Sequence, residues 1–305
     1  MTYRPAILQG ETILNSATPI PENKRILLDH LAGRLAQIKG IEAVVLGGSY
    51  ARGTARDTSD LDIGLYYHEE APFAIADVRA IAESVSMQGK PVVTDFYGWG
   101  PWVNGGAWIH TAAGKVDFLY RNLGQVERTI QEARQGILRH DYMQQPSNGF
   151  YSVIYLAETQ ICVTLYDPAG HVARLKRLVE PYPPALKERI VNDMLWSADF
   201  SLLHARDFAV AGDVYNTVGC LTRIAAAMTQ ALFALNERYF ISDKKALDEI
   251  AKFECVPLRY TDQLRGILAY PGATSEELVY TVAALASLWQ VVTVLPGVAY
   301  HSPFE

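Results

Sequence analysis

The strongest constraint on this chain is a change of apolar period near residue 124. Before it, short runs rich in β-branched residues alternate with stretches at helical spacing; after it, apolar residues recur almost wholly with the helical period. Such a switch predicts an α+β fold in two parts: a mixed sheet with flanking helices over residues 1–124, then a helical bundle over residues 125–305. At 305 residues the chain is long enough for two cores. In the first part, Leu27, Leu28, Leu31, Leu35 and Ile38 mark a helix over 21–40 that Gly40 stops. Strands are expected at 41–46, 61–67, 91–97 and 115–120, with a helix at 73–86. Residues 98–106 form a loop dense in glycine and tryptophan, a candidate pocket wall. Helices are expected at 125–139, 150–165, 184–210, 213–238, 243–253 and 275–295.

The alternation in residues 60–65 carries chemistry. Side chains two apart on a strand share a face, so Asp60 and Asp62 stand together while Leu61, Ile63 and Leu65 face the core. Two adjacent carboxylates repel unless cations sit between them, and magnesium prefers a few carboxylates together with phosphate oxygens and water. Gly64 continues the acid face without a side chain. Upstream, Gly47-Gly48-Ser49 ends a strand and opens a helix, where backbone N–H groups favour an anion such as a triphosphate. Arg52 and Arg56 follow within one or two turns. Taken singly, a Gly-Gly pair is a turn and an Asp-x-Asp a solvated edge; the spacing of the two gives them meaning.

Leu46-Gly47-Gly48-Ser49 followed by Ser59-Asp60-Leu61-Asp62-Ile63 resembles the signature of the DNA polymerase beta-like nucleotidyltransferase superfamily. The resemblance spans about residues 40 to 125. It implies a third carboxylate on a neighbouring strand, for which Asp117 in Val116-Asp117-Phe118-Leu119 is preferred over its rival Asp95. It further implies two Mg²⁺ ions on Asp60, Asp62 and Asp117, and a nucleoside triphosphate, ATP by default, on Gly47, Gly48, Ser49 and Arg52. The helical remainder is similar in arrangement to the substrate-binding bundles of aminoglycoside adenylyltransferases, which implies a small hydroxylated acceptor and a triphosphate-binding lysine, Lys244 or Lys245. Adenylylation of a protein or tRNA, and nucleotide sensing without catalysis, are the rival expectations.

Composition narrows the partners. A net charge of −6 offers no basic footprint for a long phosphate backbone, so a nucleic-acid partner is disfavoured. Cys162, Cys220 and Cys255 have no CxxC spacing and suggest reduced thiols in the cytoplasm. Residues 1–20 lack the pattern of a secretory leader, and the most apolar stretch, 225–235, is too short to span a membrane. Trp99, Trp102 and Trp108 are packing residues by default and ring-stacking residues in the functional reading. His110, His140, His171 and His204 have no ligand spacing and are assigned no metal.

Overall fold

A computed structural model describes residues 19–304, so the expectation for residues 1–20 lies almost wholly outside them. In chain order the elements are α1 (Glu22–Leu35), β1 (Ala43–Leu46), α2 (Gly48–Ala51), β2 (Leu61–Tyr67), α3 (Ile75–Val85), β3 (Val92–Val93), β4 (Gly106–Thr111), β5 (Gly114–Asn122), α4 (Leu123–Arg134), β6 (His140–Asp141), β7 (Phe150–Tyr151), α5 (Val153–Ile161), β8 (Val163–Tyr166) and α6 (His171–Leu178). Then come α7 (Pro184–Val210), α8 (Val214–Leu235), α9 (Ala246–Ile250), α10 (Tyr260–Ala269) and α11 (Ser275–Thr293). The fold is mixed α/β towards the N-terminus and helical towards the C-terminus, as the change of period predicts.

Two compact units account for the chain. The first runs through Gln131 and takes up Tyr155–Pro181; the second comprises Glu132–Ile154 and Tyr182 onward. Residues 155–181, which the sequence reading placed with the helical part, therefore pack with the sheet. The expected single helix over 150–165 is instead β7, α5 and β8. Its last segment, Val163-Thr164-Leu165-Tyr166, is β-branched and aromatic, and it pairs antiparallel with β1 as an edge strand. The helix expected over 125–139 stops at Arg134, because Gly136 adopts φ +78, the left-handed conformation that ends helices. The strand expected over 91–97 shortens to Val92–Val93, and the helix over 243–253 to Ala246–Ile250. Strand β4 and helices α6 and α10 were not anticipated.

The six-stranded sheet has the order β3-β4-β5-β2-β1-β8. Only β2 and β5 run parallel; every other pairing is antiparallel. One sheet face carries Ile63, Leu65, Phe118 and Tyr120 into a core with Leu28, Leu31 and Leu35 of α1 and with Val78 and Ile81 of α3. The three α1 leucines are spaced by three and four residues, which puts them on one helical stripe.

In the second unit, α7 and α8 pack along their lengths and α11 packs on both. A capping box holds the start of α11: the Thr274 hydroxyl accepts from the Glu277 N–H, and the Glu277 carboxylate accepts from Thr274 N–H. Helix α8 corrects the reading of the apolar stretch at 225–235. It extends over 22 residues, and an 18-residue window of it has a mean hydropathy of 1.5, long and apolar enough to cross a bilayer by length and composition. Two thirds of that window is buried within the protein, the pattern of a core helix.

Candidate active site

The parallel pairing of β2 and β5 assembles the carboxylates. In register, Asp62 lies opposite Asp117 and Gly64 opposite Leu119. Paired residues on adjacent strands project to the same face, so Asp62 and Asp117 stand side by side, and Asp60, one step before β2, is on the same side as Asp62. All three are partly buried. Asp95, the rival third acid, is exposed in the turn after β3 and belongs to no strand.

Two devices fix the acids in place. The first is Gly48, at φ +59, whose backbone passes so close to β2 that an added Cβ would lie 1.7 Å from Asp62 Oδ2. The sequence reading gives phosphate approach as the reason for this glycine, but the nearest neighbour is the carboxylate itself. Gly47, by contrast, would meet nothing nearer than 3.7 Å, and its N–H donates to the Asp62 carbonyl. The second device escaped the sequence reading. Lys24 of α1 is buried at 5% exposure and donates to Tyr50 Oη and to the carbonyls of Asp57 and Ser59. An ammonium has three donors, and all three are spent on α2 and on the loop leading into Asp60. A lysine four positions before Leu28 near the start of an amphipathic helix reads as a solvated charge, so only the fold reveals it.

Ser49 is in the single turn of α2 and partly buried, and Arg52 caps that turn by donating its N–H to the Gly48 carbonyl. Burial pulls the Arg52 guanidinium below its ordinary pKa, which marks a cation partly stripped of water. Arg56 is exposed in the following loop. Lys244 and Lys245 are exposed in a turn of the second unit, before α9.

Beyond Asp117 the same face carries aromatics. Trp108 of β4 is the register partner of Asp117, is 51% exposed, and stacks on Trp99 at 4.7 Å between ring centroids. The loop holding Trp99 is built on buried Asn104, which accepts from Tyr67 Oη at 2.7 Å and donates to Gln125 Oε1 at 3.2 Å. Trp102 instead packs against Tyr155, whose hydroxyl donates to the Trp102 carbonyl. The other end of the face is closed by Arg121, buried and bidentate on Glu158 at 2.8 Å through both nitrogens. Burial alone would lower the arginine's pKa, but the glutamate overcomes it and raises the value. Arg121 is thus committed to Glu158. A cavity of about 40 Å³ lies among Gly48, Asp62, Gly64, Tyr66, Arg121 and Glu158. That is room for a few water molecules and not for a larger ligand.

Residues 28–99 match the family model of the nucleotidyltransferase domain, which places such a domain near the N-terminus. No curated protein matches the chain. Among solved structures, a nucleotidyltransferase-like protein from Exiguobacterium sibiricum is similar over 88% of this chain and 73% of its own, at 8% identity and a TM-score of 0.42, a likeness too distant to bear on the chemistry.

Proposed function

We propose that this protein transfers a nucleoside monophosphate from a nucleoside triphosphate, with ATP the first donor to test, to a hydroxyl of a small molecule, releasing pyrophosphate. The nucleotidyltransferase domain supports nucleotidyl transfer. The observation that carries the finer reading is the register of Asp62 with Asp117, with Asp60 on the same face. Three partly buried carboxylates form a hard oxygen donor set of the kind magnesium takes, and the lack of a side chain at Gly48 leaves the Asp62 carboxylate room for the position it holds. Asp60 and Asp62 would hold the ions and Asp117 would complete the set. When bound, paired divalent ions neutralise charge on both the attacking and leaving oxygens of an in-line displacement.

The protein's own groups supply the rest. Asp117, at the border of the acid face and the tryptophans, would accept the proton of an acceptor hydroxyl. The first N–H groups of α2, at Gly48 and Ser49, have no acceptor within their own turn, and with the Ser49 hydroxyl and Arg52 they would bind the terminal phosphates. The Trp99–Trp108 pair offers a flat, partly exposed surface for a base or acceptor ring. The acidic net charge favours a small acceptor over a nucleic acid.

The test is pyrophosphate release with each of the four triphosphates, magnesium and a panel of hydroxylated acceptors. Asp62→Asn and Asp117→Asn should each reduce turnover by about 100-fold or more while leaving the thermal midpoint close to wild type. Near-normal turnover in both variants would remove the carboxylates from the reaction. Triphosphate binding without pyrophosphate release from any acceptor would favour a sensing role.

A further inference from the structure

At the end of the sheet away from the carboxylates, three side chains from distant parts of the sequence converge. Glu42 immediately precedes β1, and its N–H donates to the Tyr66 carbonyl, which fixes it beside the end of β2. His68 immediately follows β2. His171 is the first residue of α6, brought there because β8 pairs with β1 and the chain turns back through residues 167–170. All three belong to the first unit, and all are partly buried. Their ligand atoms lie within 4.8 Å of one another, with His171 Nε2 at 4.0 Å from Glu42 Oε2 and the two imidazoles edge to face at 5.3 Å.

We propose that Glu42, His68 and His171 form a binding site for a zinc-type divalent transition metal ion, separate from the carboxylate face. Two imidazoles and one carboxylate, with a fourth position left to water, is a donor set that suits zinc and does not suit magnesium. Donors on a tetrahedral ion at 2.0–2.1 Å stand about 3.4 Å apart, so closure asks for side-chain movements of roughly 1 Å and no backbone change. The location is independent of the acid site: His68 is six residues beyond Asp62 on one extended strand, ~20 Å away. The Glu127 carboxylate of α4 neighbours both histidines and is itself held by Arg174 of α6. The ion would act as a clip, joining the start of β1, the end of β2 and the start of α6, and so fastening the returning segment to the sheet.

Full-length protein without an affinity tag, stripped with a chelator, is titrated with Co²⁺ while visible absorption is recorded. One equivalent should bind with the absorption of a four-coordinate ion, and X-ray absorption of the Zn²⁺ form should count two imidazoles. His68→Ala and His171→Ala should each weaken binding by about 100-fold or more, given that even residues supporting a ligand change affinity by 10- to 100-fold. The wild-type thermal midpoint should rise with Zn²⁺, and that of the double variant His68→Ala/His171→Ala should not. Asp62→Asn should keep the Co²⁺ signal, which separates this site from the carboxylates. Absence of a stoichiometric four-coordinate Co²⁺ absorption overturns the proposal, as does that absorption retained in the double variant or lost in Asp62→Asn. A histidine-dependent stability effect at low pH with no metal dependence would mark a plain Glu42–His171 ion pair and overturn it equally.

Discussion

Adding a single methyl group at Gly48 separates structural tolerance from catalytic geometry. In Gly48→Ala the new Cβ would lie 1.7 Å from Asp62 Oδ2 and 2.5 Å from Cγ. Ordinary contact begins near 3.4 Å, so the carboxylate must retreat by about 1.7 Å or swing to another rotamer. Asp62 belongs to a strand paired on both sides, so its backbone is held and the movement falls on the side chain. A displacement of about 1 Å in a reacting constellation costs on the order of 100-fold in rate, and turnover in Gly48→Ala should fall at least that far. The stability cost is smaller. An alanine held at φ +59 loses roughly 1–2 kcal/mol, equivalent to a thermal midpoint lowered by roughly 2–3 °C in a chain of this size. Gly47→Ala is the steric comparison: its Cβ meets nothing nearer than 3.7 Å, its φ is −113, and its loss of turnover should be well short of that in Gly48→Ala. Pyrophosphate release and differential scanning fluorimetry on both variants decide the matter. A Gly48→Ala enzyme with near-normal turnover, or a Gly47→Ala enzyme as impaired as Gly48→Ala, would refute the claim that Gly48 is kept bare for the sake of Asp62.

Other perturbations test the supports. Lys24→Met keeps the aliphatic stem but removes three donated hydrogen bonds, and chemical denaturation should report a loss of roughly 2–3 kcal/mol. Glu158→Ala leaves the Arg121 guanidinium buried without its counter-charge and should cost about 3–5 kcal/mol, much of it recovered in the double variant Arg121→Met/Glu158→Ala. Burial pushes the Cys162 thiol up to about 11 from an ordinary value of 9.0. The native state then keeps a proton that the unfolded chain releases first, so this contribution to stability is whole below pH 9 and is lost as pH climbs through 11; Cys162→Ala should flatten that alkaline limb of a urea-midpoint profile. Thr274→Ala removes half of the α11 capping box and should lower stability by about 1 kcal/mol by the same measurement.

What the sequence made legible follows the reach of each signal. A strand's period of two is local, so the shared face of Asp60 and Asp62 could be read directly, and so could the burial of Leu61, Ile63 and Leu65 behind it. Preferring Asp117 to Asp95 rested on resemblance; the register that sets Asp117 opposite Asp62 is a tertiary fact. Strand β8 was hidden because Val163–Tyr166 continues the apolar pattern of α5, and only pairing with β1 decides that it is extended. The Lys24, Arg121–Glu158 and Glu42–His68–His171 groupings were hidden for a related reason. Each joins residues at least 26 positions apart, and a charged residue looks alike in sequence whether water or a buried partner receives it.

The edge strand β8 also sets a clock on synthesis. Strand β1 is complete at Leu46, but the partner for its outer side begins only at Val163. At 5–20 residues per second, translation leaves that side of Ala43–Leu46 uncovered for roughly 6 to 23 seconds. Four consecutive buried apolar residues with open backbone groups are a template for pairing with another nascent chain. Clones truncated after residue 131 would carry the same open edge permanently and should collect in inclusion bodies, whereas clones extended through Pro181 should yield a larger soluble fraction.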